Sequence, residues 1–171
     1  MWRRLWNFSS RFVSNDHKRR ETAATTRNRK RRFLDTERVS QENVEIVRRL
    51  YRAVNSVGLQ AVVEFAHPDM EAVAPPYWPD ASTVRGVELV QEMARQWVET
   101  FESFEVDPER FLDAGPERVV VYVRDRGRIK GSDAEIDTRL IHVWTLKEGK
   151  IFRWQLFADE AQALEAAGLT A

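Results

Sequence analysis

The 171-residue sequence is predicted to fold as an α+β domain, with a curved antiparallel sheet folded over helices. Two observations predict this class. Apolar residues recur at helical spacing in the segments that follow Ser40, and from about Phe101 onward the pattern changes to alternation with a period of two. Helices followed by long antiparallel strands are typical of α+β domains.

The helical half of the domain is bounded by recognisable start and stop signals. Ser40 is predicted to cap the first helix, and Gly58 is predicted to end it. The stretch "LQAVVEFA" predicts a second short helix that stops at His67-Pro68, because proline disfavours the helical conformation in the residue before it. A short strand, "MEAVA", and a loop, "PPYWPDASTVRG", then lead to a third helix, "VELVQEMARQWVETF".

Four strands are predicted in the second half. They are "SFEVDPERFLDAG", "ERVVVYVRDRGRI", "AEIDTRLIHVWTLK" and "KIFRWQLFAD", the last two joined by the hairpin turn "EGK". A terminal helix, "EAQALEAAG", follows, with glycine at its end.

The net charge of zero hides a division of the chain into two segments. Residues 1–38 hold 12 Lys/Arg against 4 Asp/Glu, whereas residues 39–171 hold 15 against 23. We expect residues 1–38 to be a basic, disordered tail, and a hypothesis is that they are an artefact of the gene model, with the working protein beginning near Val39. A short amphipathic helix on an anionic surface and a phosphate contact through "RNRKRR" are alternatives. We assign no function to this segment.

Composition also excludes several kinds of site. The absence of cysteine excludes disulfides, thiol nucleophiles and thiolate metal sites. Three scattered histidines do not have the spacing of metal ligands, and no apolar run is long enough to span a membrane. We therefore expect a cytoplasmic protein without a metal or a cofactor.

One histidine lies in the middle of an apolar strand face. In "TRLIHVWTLKEGKIFRW", strict alternation places His142 on the same face as Leu140 and Trp144, and the returning strand offers Phe152, Trp154 and Leu156. Burial would lower the pKa of this imidazole and leave it neutral. The alternative is a packed histidine with a purely structural hydrogen bond.

Several stretches in order resemble the SnoaL-like branch of the nuclear transport factor 2 superfamily, which includes ketosteroid isomerase. They are "SQENVEIVRRLYRAVNSVG", "HPDMEA", "WPDASTVRG", "IHVWTLKEGKIFRW" and "AQALEAAGL", and together they span residues 40–168. The resemblance implies a cone in which a bent sheet wraps around N-terminal helices and encloses an apolar cavity. It also implies a homodimer that associates through the outer face of the sheet.

The resemblance transfers only part of the isomerase site. His142 stands where the isomerase has a protonated aspartic acid, and Tyr51 matches its other oxyanion donor. The catalytic base of the isomerase falls on or beside Ala74, where there is no carboxylate, and Glu71 is predicted to lie on the opposite strand face. The resemblance also implies an acid–base carboxylate, as in the SnoaL-like cyclases, or an Arg-and-Asp relay, as in the epoxide hydrolases. We expect neither inside the cavity, because Asp137, Arg139 and Asp159 are predicted to point outward.

Two classes of function remain open. In the first, the cavity binds a small hydrophobic carbonyl or polyketide-like molecule, with His142 and Tyr51 as the catalytic residues of an isomerase- or cyclase-type acid–base reaction. In the second, the domain is a non-catalytic ligand-binding module or a dimeric assembly module, which the missing base favours. Nucleic-acid binding would depend on the tail alone, and we do not expect it. The predicted ligand-binding residues are Trp144, Trp154, Trp78, Trp97, Leu140 and Phe152.

Overall fold

The computed structural model describes residues 9–73 and 83–169, with side chains from residue 29 onward except at residue 33. The chain divides into two compact units, Met1–Arg38 and Val39–Ala171. The first unit is helical over residues 9–38, where the sequence analysis expects disorder. This segment contains no glycine or proline, and its many Arg, Lys and Glu residues have high helix propensity. Whether it belongs to the working protein stays a prediction.

Four helices and six strands are formed by the described residues. The helices are α1 (Ser9–Val57), α2 (Val62–Phe65), α3 (Val87–Glu99) and α4 (Glu160–Ala166), with a 3-10 turn at Leu59–Ala61 before α2. The strands are β1 (Ala66–Val73), β2 (Thr83–Arg85), β3 (Phe101–Asp113), β4 (Arg118–Ile129), β5 (Glu135–Lys147) and β6 (Lys150–Phe157).

The strands form one curved, unclosed sheet in the order β2-β1-β6-β5-β4-β3. Neighbouring strands are antiparallel, except that β1 lies parallel to β6. Pro108 is accommodated in β3 because this strand is at the edge of the sheet, next to an irregularity in its pairing with β4. The predicted α+β class, with long antiparallel strands after the helices, is confirmed.

Both faces of the sheet bury apolar side chains, as the alternation in β4 and β5 requires. On the inner face, Val119, Val121 and Val123 join the main core with residues of α1 and α3. On the outer face, a smaller cluster contains Val120, Ile141 and Val143, and α4 covers it with Ala163 and Ala167. Helix α4 is started by Asp159, whose carboxylate accepts a hydrogen bond from the backbone N–H of Gln162 at 2.9 Å.

Two of the local predictions are wrong. Ser40 does not cap a helix, because α1 continues through it; its buried hydroxyl instead contacts the carboxylate of Asp113 and the carbonyl of Gly115, and so ties α1 to the β3–β4 turn. The loop after β1 contains a short strand, β2, which pairs with β1 through Val84 and Ala72. By contrast, Gly58 ends α1 as predicted, with a φ of 92°.

In the described ranges, none of the helices combines the length and the apolar character that a membrane crossing requires.

Candidate functional site

A pocket of about 90 Å³ lies between the inner face of the sheet and the helices α1 and α3. Most of its lining is aliphatic or aromatic, with contributions from both helices and from five strands. Apolar lining residues include Leu50, Met70, Val90, Trp97, Leu140 and Leu156. Three of its walls carry polar groups that matter for chemistry: Tyr51 on α1, Asp125 on β4 and His142 on β5.

His142 points into this pocket, as the alternation of β5 predicts. Its backbone pairs with Val121 on β4 and Leu156 on β6, and only 4% of the residue is exposed. The ring is flanked edge-on by Trp144 and Trp154, at centroid distances of 5.9 and 5.4 Å. Burial lowers the pKa of His142 to about 3, so the imidazole is neutral at physiological pH.

Tyr51 is the direct partner of this imidazole. Its hydroxyl oxygen lies 2.7 Å from Nδ1 of His142, and the indole N–H of Trp144 donates a hydrogen bond to the same oxygen at 3.1 Å. Burial raises the pKa of Tyr51 well above its usual value, so the phenol keeps its proton. The three side chains form one buried chain of hydrogen bonds that connects α1 to β5.

Trp144 and Trp154 form a directly opposed cross-strand pair on β5 and β6. Their rings are parallel to within 5°, with centroids 5.5 Å apart. The indole nitrogen of Trp154 and Nε2 of His142 are both buried, and neither has a hydrogen-bond partner among the described residues. Buried polar atoms are rarely left unpaired in folded proteins, so these two atoms are candidates for contact with a ligand.

Asp125 is a site residue that the sequence analysis missed. It continues the inward row Val119, Val121 and Val123 on β4, and only 5% of it is exposed. Burial raises its pKa to about 6, from an ordinary value of 3.8, and its Oδ1 has no hydrogen-bond partner in the described part of the chain. A carboxyl group with such a pKa, in an apolar pocket, is a candidate general acid or base.

The signal for Asp125 is present in the sequence. In the strand "VVVYVRD", side chains two residues apart lie on the same face, so residue 125 shares the face of Val119, Val121 and Val123. The flanking Arg124 and Arg126 make the end of this strand look like a solvated edge, which hides the inward orientation of the aspartate between them.

The predicted site residues fall into three groups. Those that line the pocket are Tyr51, His142, Trp144, Trp154, Trp97 and Leu140. Trp78 lies outside the described residues, and Phe152 packs outside the pocket lining. Ala74, the position that matches the isomerase base, is also outside the described residues.

Phe152 is not among the residues that line the pocket; it packs edge-on against His67, at 5.6 Å between ring centroids. The pairing of β5 with β6 shifts by one residue at this point, from Thr145 opposite Arg153 to Leu146 opposite Ile151. Such a bulge reverses the alternation, so Ile151 takes the core position and is fully buried. The prediction that Phe152 shares the inner face assumes strict alternation, which this bulge interrupts; a role for Phe152 in ligand binding stays a prediction.

The charged residues predicted to face outward do so. Arg124 donates from Nε to Asp137 at 2.6 Å, and Arg139 donates to Glu109 at 3.1 Å, all on the outer face of the sheet. Glu71 is paired with Arg85 and Arg153 on that face, whereas its neighbour Ala72 is in the main core. These ion pairs exclude an epoxide-hydrolase relay made from Asp137 and Arg139 inside the pocket.

Two further predictions concern histidine and metal. His67 lies at the start of β1, which follows α2 directly, and its Nδ1 accepts a hydrogen bond from the backbone N–H of Asp69 at 3.1 Å. Within residues 9–73 and 83–169, no cluster of His, Asp and Glu side chains is arranged to hold a metal ion.

The sequence model of the SnoaL-like domain matches residues 47–154 of the chain. The chain belongs to the SnoaL-like family. The match covers α1 from Val47 onward and continues into β6, so it includes Tyr51, Asp125, His142 and both stacked indoles. A comparison with curated proteins finds no match.

Solved structures support the fold of the SnoaL-like domain. An NTF2-like protein of unknown function from Burkholderia pseudomallei is 22% identical, with a TM-score of 0.61 over 72% of this chain and 95% of that one. A putative SnoaL-like polyketide cyclase from Jannaschia sp. is 23% identical, with a TM-score of 0.60 over 74% and 91%. A hypothetical protein from Catenulispora acidiphila with a ketosteroid isomerase-like fold, solved with trimethylamine, is 19% identical, with a TM-score of 0.59 over 73% and 93%.

Proposed function

We propose that the SnoaL-like domain binds a small apolar molecule with a carbonyl oxygen in this pocket, and that Asp125 exchanges a proton with a carbon of that molecule. One observation carries the proposal. The pocket lining is mostly apolar, yet Asp125, His142 and Trp154 each have a buried polar atom without a partner among the described residues. A ligand with matching polar groups would satisfy these atoms without solvent.

The protonation states suit this chemistry. With a pKa of about 6, the carboxyl of Asp125 is mostly ionised at neutral pH and can still accept and return a proton. It would take a proton from a carbon that is conjugated with the carbonyl group. The negative charge that this leaves on the ligand would move to the carbonyl oxygen, where neutral hydrogen-bond donors stabilise it in a pocket without competing water.

The sheet register separates the two ends of the pocket. His142 is opposite Val121 on β4, and Asp125 lies four residues further along the same strand, which is about 13 Å between backbone positions. Asp125 and His142 therefore act on different parts of a ligand. This arrangement favours a conjugated carbonyl compound, in which the acidic C–H and the oxygen are several bonds apart.

Deuterium exchange tests the proposal directly. Small enones are incubated with the protein in D₂O, and the loss of their C–H signals is followed by ¹H NMR. We expect Asp125→Asn to lower the protein-catalysed exchange rate by about 100-fold or more, because the amide cannot take up the proton. The matched control is Asp133→Asn, since Asp133 is exposed in the β4–β5 turn. Exchange that is equally fast in Asp125→Asn would contradict the role of this carboxylate.

The non-catalytic binding module is the second candidate, and the same experiment separates the two. Enones that bind without any exchange, in the wild type and in both variants, would favour it. The absence of a catalytic base was the reason to favour the binding module. Asp125 weakens this reason, because it supplies a carboxylate to the pocket from β4, a different strand from the one that carries the isomerase base.

The assembly and location also stay proposals. We propose a homodimer that associates through the outer face of the sheet, in the cytoplasm. That face carries the pairs Arg124–Asp137 and Arg139–Glu109, whose opposite charges could also pair between two copies. Light scattering during size-exclusion chromatography measures the mass, and a monomer at micromolar concentration would contradict the dimer.

A further inference from the structure

The hydrogen bonds of Tyr51 restrict where its proton can be. A phenol has one proton to donate, and its oxygen can accept hydrogen bonds. The oxygen already accepts from the indole N–H of Trp144, and its other described partner is Nδ1 of His142, 2.7 Å away. Either the phenol donates to Nδ1, or Nδ1–H donates to the phenol.

The two placements differ in what they leave unpaired. If Tyr51 donates, His142 carries its proton on Nε2, and that N–H is the one group of the pair without a described partner. If Nδ1–H donates, two groups lack a described hydrogen-bond partner: the hydroxyl proton of Tyr51 and the lone pair on Nε2 of His142. Because each unpaired buried group is costly, the first placement is favoured.

We infer that Tyr51 is a positioning residue that holds His142 as the Nε2–H tautomer, and that this N–H and the indole N–H of Trp154 together bind one acceptor oxygen of the ligand. The inference rests on the proposed function and makes it more specific. It replaces the sequence prediction, in which Tyr51 itself donates to the ligand, because the proton of that phenol is already used within the protein.

The positions of the two donors support a shared acceptor. Both nitrogens are buried, and both side chains line the same pocket. The rings of His142 and Trp154 are 5.4 Å apart between centroids and are inclined at 72°. The rings are held in place from two sides, since Trp154 stacks on Trp144 and Trp144 donates to Tyr51. A pair of fixed N–H groups favours a ketone, an ester or an enolate oxygen over an amine or ammonium group.

The tautomer can be measured without any ligand. The full chain is labelled with ¹⁵N-histidine, and the two imidazole nitrogens of residue 142 are assigned by comparison with His142→Asn. We expect a protonated Nε2 and an unprotonated Nδ1 in the wild type, and a mixture of tautomers in Tyr51→Phe. An Nδ1–H tautomer in the wild type, or no change in Tyr51→Phe, would overturn the positioning role.

The donor pair is tested with two probes of the same shape. Cyclohexanone has the acceptor oxygen, and methylenecyclohexane has a CH₂ group in its place. We expect Trp154→Phe to weaken cyclohexanone binding about 3- to 10-fold more than methylenecyclohexane binding, as the loss of one net hydrogen bond implies. Trp97→Phe removes an indole from the same lining and should affect both probes alike. Equal losses for both probes in Trp154→Phe would overturn the shared acceptor.

The two proposals fail differently. If neither probe binds the wild type, the proposed ligand-binding function fails, and the shared acceptor fails with it. If cyclohexanone binds and the Trp154→Phe effect does not depend on the oxygen, the inference fails while the proposed function stands.

Discussion

The buried carboxyl of Asp125 should lower the stability of the folded protein at neutral pH. Its pKa is raised from 3.8 to about 6 by burial, so the folded state binds this proton more tightly than the unfolded chain. The contribution of Asp125 to the free energy of unfolding is therefore most favourable when Asp125 is protonated in both states, below pH 3.8, and this contribution falls as the pH rises to about 6. The full difference corresponds to about 3 kcal/mol.

Asp125→Asn should remove this dependence, because the amide is neutral at every pH and has nearly the same shape. The difference in unfolding free energy, variant minus wild type, should therefore increase by about 2 kcal/mol from pH 4.5 to pH 7.5, because only the wild type loses this stability as the pH rises. The remainder of the 3 kcal/mol falls below pH 4.5. A loss of proton exchange together with a gain in stability would identify a residue that is kept for function.

Urea unfolding at pH 4.5, 5.5, 6.5 and 7.5, followed by helical ellipticity, measures this difference. Taking the variant relative to the wild type at each pH cancels the contribution of all other titrating groups. Asp133→Asn, at an exposed position, should give a difference that does not change with pH. The reasoning is refuted if the difference between Asp125→Asn and the wild type is also constant across this range.

Three further predictions concern a buried imidazole, a tightly packed glycine and a helix cap. Because the folded state disfavours the charged imidazole, with a pKa of about 3 for His142, the contribution of this residue to the unfolding free energy should fall by on the order of 5 kcal/mol as the pH falls from 6.5 to 3. Urea unfolding of the wild type and of His142→Leu across this range should therefore show the wild type losing that amount relative to the variant, and a difference that stays constant with pH would contradict the prediction. Gly127→Ala would place a methyl group 2.8 Å from the backbone oxygen of Ser103 and should cost about 1–3 kcal/mol, seen as a lower Tm, and an unchanged Tm would contradict this close contact. Asp159→Ala removes the hydrogen bond to the N–H of Gln162 and should cost about 1 kcal/mol in urea unfolding, whereas Asp159→Asn, which can still accept it, should cost less.

Much of the inner face could be predicted from alternation alone. His142 and Trp144 were placed by a period of two along a regular part of β5, and the structure puts both on the pocket wall. The approach of Tyr51 to His142 was inferred from the resemblance to the isomerase, because a contact between residues 91 positions apart has no local signature. Sequence pattern gives the face of a strand, whereas a distant contact depends on how helix and sheet pack.

The failures have equally local physical causes. Phe152 was assigned to the pocket because a bulge cannot be seen in the sequence, and a bulge reverses every assignment beyond it. Strand β2 has only three residues, too few for a periodic pattern. Ser40 carries the residue type of a helix cap, but its hydroxyl bonds to the β3–β4 turn instead. The inward position of Asp125 follows from the two-residue repeat of β4, but Arg124 and Arg126 on either side give this end of the strand the charge pattern of a solvated edge.

The stacking of Trp144 on Trp154 gives the molecule an optical reporter of its own. Two indoles whose centroids lie 5.5 Å apart, with planes parallel to within 5°, are close enough to couple their electronic transitions, and a twist between their transition dipoles within those planes would produce an exciton couplet in circular dichroism. Fluorescence averages over all six tryptophans of the chain, whereas such a couplet depends on the spacing and angle of a close chromophore pair. A molecule that entered beside Trp154 and tilted its ring would change the couplet, so occupancy could be followed without any label.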